Sequence, residues 1–252
     1  MLEVKHLSCG YGEVPVVKDV SFQMKEGQRL CILGPNGSGK TTLLRGLVGL
    51  LPIEGAVEVQ GADLKEMPVR EKSKKIALMS QLSTTYFSYT VYETVMLGRY
   101  AHQKRGAFAG ETEQDRRIVL ENLDRIGMLE QKDRSITELS GGQLQRVFLA
   151  RTFVQDPQVI LLDEPTNHLD LKYQLELIET LKEWAGKGER YVVGVLHDIN
   201  LALSFADMVL LMEDGRVKAC ECVEQLDLSL LDQTYQMNVR QYMQESLGRW
   251  SV

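Results

Sequence analysis

Apolar residues recur along the chain in two rhythms. Short apolar or alternating runs stand at residues 2–7, 14–22, 29–33, 57–59 and 76–79, with Gly10, Gly12 and Gly27 separating the first three. Such runs predict strands. Leu43, Leu44, Leu47, Val48 and Leu51 fall on one helical face, so residues 41–51 are expected to be helical directly after the strand at 29–33. From about residue 84 to 155 the pattern becomes mainly helical. There Thr112 and Asp115 have the spacing of a capping box ahead of Val119, Leu123 and Ile126, and Gly127 stands where a helix would stop. A strand at 159–162, a helix at 172–185, a strand at 191–196, a helix at 200–205 and a strand at 208–212 are expected next. Asp214-Gly215 then marks a two-residue turn into 216–219. Strands alternating with helices predict an α/β fold with a mostly parallel sheet. Residues 220–252 are amphipathic and are expected to form a helical tail with no chemistry of its own.

Composition narrows the picture. With 252 residues, 44% hydrophobic and 25% charged, the chain can bury the core of one large domain or of a domain carrying an inserted subdomain. Lys plus Arg number 29 against 35 Asp plus Glu, a net charge of −6, which argues against a nucleic-acid partner. Cys9, Cys31, Cys220 and Cys222 are too scattered for a disulfide scaffold, and the Cys220-x-Cys222 pair lacks the second half of a zinc site. Reduced thiols are the expectation. The N-terminal residues lack the character of a signal peptide, and no run reaches the ~18 apolar residues of a membrane span. Work at a membrane would need another protein to hold the chain there.

Three segments carry chemistry. Gly34-Pro35-Asn36-Gly37-Ser38-Gly39-Lys40-Thr41 fits the pattern of a phosphate-binding loop between a strand and a helix. Its glycines let successive N–H groups point inward at phosphate oxygens, and the helix N-terminus adds partial positive charge. Lys40 would reach the β and γ phosphates, and the Thr41 hydroxyl would bind Mg²⁺. The apolar run 159–162 ends in Asp163-Glu164, at the strand end where ligands collect in parallel sheets. Asp163 would hold Mg²⁺, while Glu164 could orient or deprotonate an attacking water. Leu139-Ser140-Gly141-Gly142-Gln143 has the S-x-x-Q spacing of a helix start, with two glycines and a hydroxyl that make a second anion-binding surface. By itself that spacing is more often a plain cap.

Together these segments resemble the nucleotide-binding subunit of an ATP-binding cassette (ABC) transporter, over about residues 1–220. The resemblance implies a P-loop NTPase core with a mostly parallel sheet, N-terminal antiparallel strands and an inserted helical subdomain at 84–155, all within a single domain at 1–252. It extends the set of site residues. Tyr11 stands where the family stacks an aromatic on adenine, and Thr42 closes the phosphate loop. Gln81 matches the glutamine loop that touches Mg²⁺. Asn167-His168-Leu169-Asp170 matches the loop that crosses the dimer interface, bringing Asp170 to the nucleotide. His197 matches the switch histidine at the γ-phosphate. The implied catalytic set is Lys40, Glu164 and His197, with ATP and Mg²⁺ as cofactors. The implied partners are a second copy packed head to tail, a polytopic membrane permease and, indirectly, an extracytoplasmic substrate-binding protein. The implied place is the cytoplasmic face of the cell membrane.

The subclass also leaves marks. Exporter cassettes carry a Gly-Glu-Arg-Gly element shortly before the signature, whereas this chain has Arg134-Ser135-Ile136-Thr137-Glu138. Residues 90–102 and 197–202 resemble importers of metal chelates: ferric siderophores, haem and vitamin B12. The alternatives are an exporter cassette and a soluble ABC ATPase without a transport role, as in iron–sulfur assembly. Relatives of the latter kind usually distort the signature, which is regular here.

Overall fold

The computed structural model describes residues 1–80, 88–103, 110–167 and 169–248. Ten strands are described: β1 (Leu2–Cys9), β2 (Val17–Met24), β3 (Arg29–Leu33), β4 (Ile53–Val59), β5 (Ala62–Asp63), β6 (Ile76–Met79), β7 (Val159–Asp163), β8 (Tyr191–Val195), β9 (Met208–Glu213) and β10 (Arg216–Cys222). They form a four-stranded sheet in the order β2-β1-β4-β5 and a six-stranded sheet in the order β10-β9-β3-β8-β7-β6. The first sheet is antiparallel. In the second, β9, β3, β8, β7 and β6 run parallel and only β10 is reversed. The reversal follows from the Asp214-Gly215 turn, whose φ values of 50° and 79° suit a tight hairpin.

The buried strands β3, β7 and β8 read as unbroken apolar runs because helices or the other sheet cover both their faces. One core lies between the two sheets and encloses α1 (Lys40–Leu47), with Leu7, Val20, Leu43 and Leu210 fully buried in it. A second core fills the opposite face of the large sheet. It takes in α6 (Leu171–Ala185), α7 (Ile199–Phe205) and α8 (Leu228–Tyr235), and α9 (Val239–Gly248) adds Val239. Between β6 and β7 the chain leaves the sheet and builds α3 (Val91–Met96), α4 (Glu113–Arg125) and α5 (Gly141–Val154) around a third core of Val91, Val95, Val119, Leu123 and Val147. Each of these three helices starts with a closed capping box, at Thr90, Thr112 and Ser140 respectively. The short α2 (Val69–Lys75) precedes β6.

Three expected bounds are corrected. The helical tail expected from residue 220 starts later, because the chain up to Cys222 continues the hairpin as β10 against β9 and the first tail helix is α8. The helix expected at 41–51 ends at Leu47, because Gly49 turns into the left-handed region at φ 79° and breaks the helical ladder. The strand expected from residue 14 begins at Val17, since Val14 is 77% exposed and Pro15 cannot donate to the ladder. Among the described residues no helix is long and apolar enough to cross a membrane.

Candidate functional site

Sheet order assembles the site. β3, β8 and β7 are parallel neighbours, so their carboxyl ends lie side by side. The phosphate loop follows β3, His197 follows β8 and Glu164 follows β7. Residues far apart in the chain therefore meet at one edge, where open parallel sheets bind ligands.

The phosphate loop depends on Gly34. Its φ is 151°, and a Cβ there would meet the Met212 carbonyl oxygen at 2.2 Å, so no other residue fits. The loop is braced by Ser38 N–H donating to Pro35 O at 3.2 Å and Gly215 N–H donating to Ser38 O at 3.1 Å. Lys40 is buried and its Nζ donates to the carbonyls of Gly34 at 2.8 Å and Pro35 at 2.9 Å. Burial lowers the pKa of this ammonium, against the pull of Glu164 and Asp163. The Ser38 hydroxyl is buried and makes no hydrogen bond. An orphaned hydroxyl and a desolvated cation within a glycine-rich curl fit an anionic ligand. Asn36 and Gly37 stand exposed at the loop tip, while Thr42 is buried beneath it.

The two acids point different ways. Asp163 ends β7 and accepts a hydrogen bond from Thr41 Oγ1 at 2.9 Å. Burial raises its pKa, the hydrogen bond from Thr41 opposes the rise, and the charge of Glu164 adds to it. Glu164 leaves the strand with φ 56°, an unusual conformation for a residue other than glycine. Its N–H donates to Val195 O at 3.1 Å, which anchors the bend to β8. The turn carries its carboxylate to His197, whose Nε2 lies 2.6 Å from Glu164 Oε1. Asn167 Nδ2 donates to Glu164 Oε2 at 2.6 Å. Both carboxylate oxygens are thus held. Thr41 Oγ1 and Asp163 together offer oxygen ligands to a hard divalent cation. Among the described residues no group of three or more His, Cys, Asp or Glu could hold a metal.

Tyr11 is 58% exposed and its hydroxyl accepts a hydrogen bond from Arg45 Nη1 at 2.7 Å. Arg45 lies one helical turn beyond Thr41, a spacing visible in the sequence. Ser140 and Gln143 close their capping box through Gln143 N–H to Ser140 Oγ at 3.3 Å and Ser140 N–H to Gln143 Oε1 at 3.0 Å. Gly141 is open to solvent, whereas Gly142 backs onto Leu169 and Tyr173. Asp170 caps α6 by accepting from Tyr173 N–H at 3.1 Å. Among the described residues no hydrogen bond or ion pair joins Ser140, Gly141, Gly142, Gln143 or Asp170 to the phosphate loop of the same chain. Gln81 and His168 lie outside the described residues.

A family model described as ABC transporter matches residues 17–167. The hemin import ATP-binding protein of Methylobacillus flagellatus is 36% identical over 233 residues, covering 90% of this chain and 85% of that protein. The iron(3+)-hydroxamate import ATP-binding protein of Bacillus subtilis is 34% identical over 239 residues, covering 94% and 88%. An ABC transporter ATP-binding protein of Bacillus subtilis is 40% identical over 215 residues, and there 85% of this chain spans only 48% of the relative. Among solved structures, an ABC transporter assigned to the metal-chelate type, in an inward-facing conformation, superposes with a TM-score of 0.79 at 29% identity, covering 93% of this chain and 88% of that one. A dimeric ATP-binding cassette in a post-hydrolysis state, bound to ADP and Pi, superposes with a TM-score of 0.77 at 31% identity, covering 90% and 100%.

Proposed function

This chain belongs to the ABC transporter family, and we propose that it is the ATP-hydrolysing subunit of an importer of metal chelates, a class that includes ferric siderophores, haem and vitamin B12. The observation that carries the reading is the shared edge of β3, β8 and β7, where Lys40, Asp163, Glu164 and His197 converge. The names of the relatives, two of them import proteins for hemin and iron(3+)-hydroxamate, support the importer class over an exporter or a non-transport ATPase.

The residues divide the work. The loop from Gly34 to Thr42 wraps the phosphates of ATP, with Lys40 offering its ammonium to the β and γ phosphates. The negative phosphates offset the burial that Lys40 otherwise suffers. Thr41 and Asp163 would hold Mg²⁺, with Gln81, and the ion would neutralise charge on the transferred phosphoryl group. Glu164 takes the proton of the attacking water, and His197 and Asn167 hold its carboxylate in place for that step. His197 also contacts the γ-phosphate. Tyr11 stacks on adenine. Ser140, Gly141, Gly142, Gln143 and Asp170 face the nucleotide of a second copy packed head to tail. ATP closes that dimer, and hydrolysis reopens it. A polytopic permease, served by an extracytoplasmic substrate-binding protein, turns the motion into transport and holds the chain at the cytoplasmic face of the membrane.

The test is a pull-down of tagged Glu164→Gln protein with ATP from native membranes, the bound proteins being identified by mass. A polytopic membrane protein is the expected partner. A soluble partner, or none, shifts the reading to a non-transport ATPase.

A further inference from the structure

The C-terminal helices reach the phosphate loop through one side chain. Tyr235 is the last residue of α8, which stops where Gln236 turns left-handed at φ 53°. Its hydroxyl accepts a hydrogen bond from Gly34 N–H at 3.1 Å, across 201 residues of chain. Gly34 is the joint between β3 and the loop. It is buried, so its N–H finds little water to replace that acceptor. On the other side of the same residue, the Gly34 carbonyl accepts from Lys40 Nζ at 2.8 Å. A glycine has no side chain to anchor it and the widest backbone freedom of any residue. These two bonds therefore set the peptide planes on either side of the joint.

The anchor itself is firm. Leu231 of α8 is 2% exposed in the core beneath the large sheet, and the Tyr235 ring packs against the same core. Asp232 Oδ1 accepts from Val239 N–H at 2.7 Å and Arg240 N–H at 3.4 Å, which ties α9 to α8.

We propose that Tyr235 is a positioning residue for ATP binding, its hydroxyl fixing Gly34 and through it the carbonyl that orients Lys40. The proposal rests on the ATP-site reading given above. With the hydroxyl in place, the loop enters binding already ordered. Without it, the joint samples further conformations whose entropy is lost each time nucleotide binds.

The test compares full-length wild type with Tyr235→Phe, Tyr235→Leu and Lys40→Ala. Equilibrium ATP binding, KM, kcat and Tm are measured, with the kinetics run well below the lowest Tm. Wild type should bind ATP and Lys40→Ala should bind it poorly. Tyr235→Phe, which keeps the ring and loses only the hydroxyl, should weaken ATP binding and raise KM about fivefold, the effect of one net hydrogen bond, while kcat changes less. Tyr235→Leu should raise KM to the same extent and also lower Tm further, since it removes ring packing. If the ring alone matters, Tyr235→Phe will match wild type and only Tyr235→Leu will fall. That result, with Lys40→Ala still impaired, overturns the positioning role and leaves the ATP site standing. Absence of ATP binding by wild type, or normal binding by Lys40→Ala, overturns both.

Discussion

Glu164 holds a backbone conformation at φ 56° that costs a residue with a side chain about 1 kcal/mol or more. The cost is offset by the bond of its N–H to Val195 and by the two partners of its carboxylate, His197 and Asn167. An ordinary continuation of β7 would send Glu164 to the opposite face from Asp163. The left-handed turn instead brings it beside His197 at the strand edge. Glu164→Gln keeps the shape and removes the proposed proton acceptor. Its turnover should fall by roughly 10²–10⁴-fold, the usual worth of a general base, while ATP affinity stays within about twofold of wild type. Single-turnover phosphate release measured beside equilibrium binding checks this. Turnover at the wild-type rate would remove Glu164 from the role of base.

At the scale of elements, α5 must present the Ser140 end of its helix from a segment that leaves the sheet after β6 and returns at β7. A buried ion pair holds that segment together. Arg99 Nε donates to Asp115 Oδ1 at 2.8 Å and Arg99 Nη1 to the Val154 carbonyl at 2.7 Å, which links the turn after α3, the start of α4 and the end of α5. Burial pushes the Asp115 carboxyl up, but the bonds from Arg99 and Thr112 outweigh it, and its pKa lies below the ordinary value. Unfolded, it titrates at the ordinary aspartate value of about 3.9. Its contribution to stability is therefore complete above that pH and is lost as pH falls towards the folded-state value. Asp115→Asn should cost about 3 kcal/mol at neutral pH, because it leaves Arg99 buried without its counter-charge. It should also flatten the loss of stability between neutral and acid pH. Urea unfolding at both pH values measures each effect, and a variant as stable as wild type at pH 7 would show that the pair contributes nothing net.

For the molecule as a whole, the two surfaces proposed to bind anions stand on different bodies of the fold. One opens α1 at the edge of the large sheet, the other opens α5 on the helical segment, and no bond between described residues joins them. In the proposed head-to-tail dimer, a second copy would bring the two together. With ATP, the Glu164→Gln protein should run at twice its 28.5 kDa mass in light scattering and return to monomer with ADP. A monomer in saturating ATP, with binding confirmed, would contradict the head-to-tail arrangement.

Local chemistry made much of this legible in the sequence. The strand–loop–helix at 29–41, the capping boxes at Thr112 and Ser140 and the hairpin at Asp214-Gly215 depend on residues a few positions apart, and each is in the structure. That Asp163 and Glu164 diverge could be expected from their adjacency, though not the left-handed turn that aims Glu164 at His197, and the alternation of strands and helices pointed to the parallel sheet. Tertiary structure alone decided the order β3-β8-β7, which sets His197 against Glu164. It also decided the bond from Gly34 to Tyr235, in a tail whose sequence is merely amphipathic. The division has one physical cause. Periodicity, caps and turns are decided by short-range backbone sterics and by which face of a segment is apolar. Which strands become neighbours, and which hydroxyl meets which N–H across 201 residues, is decided by burial summed over the whole chain.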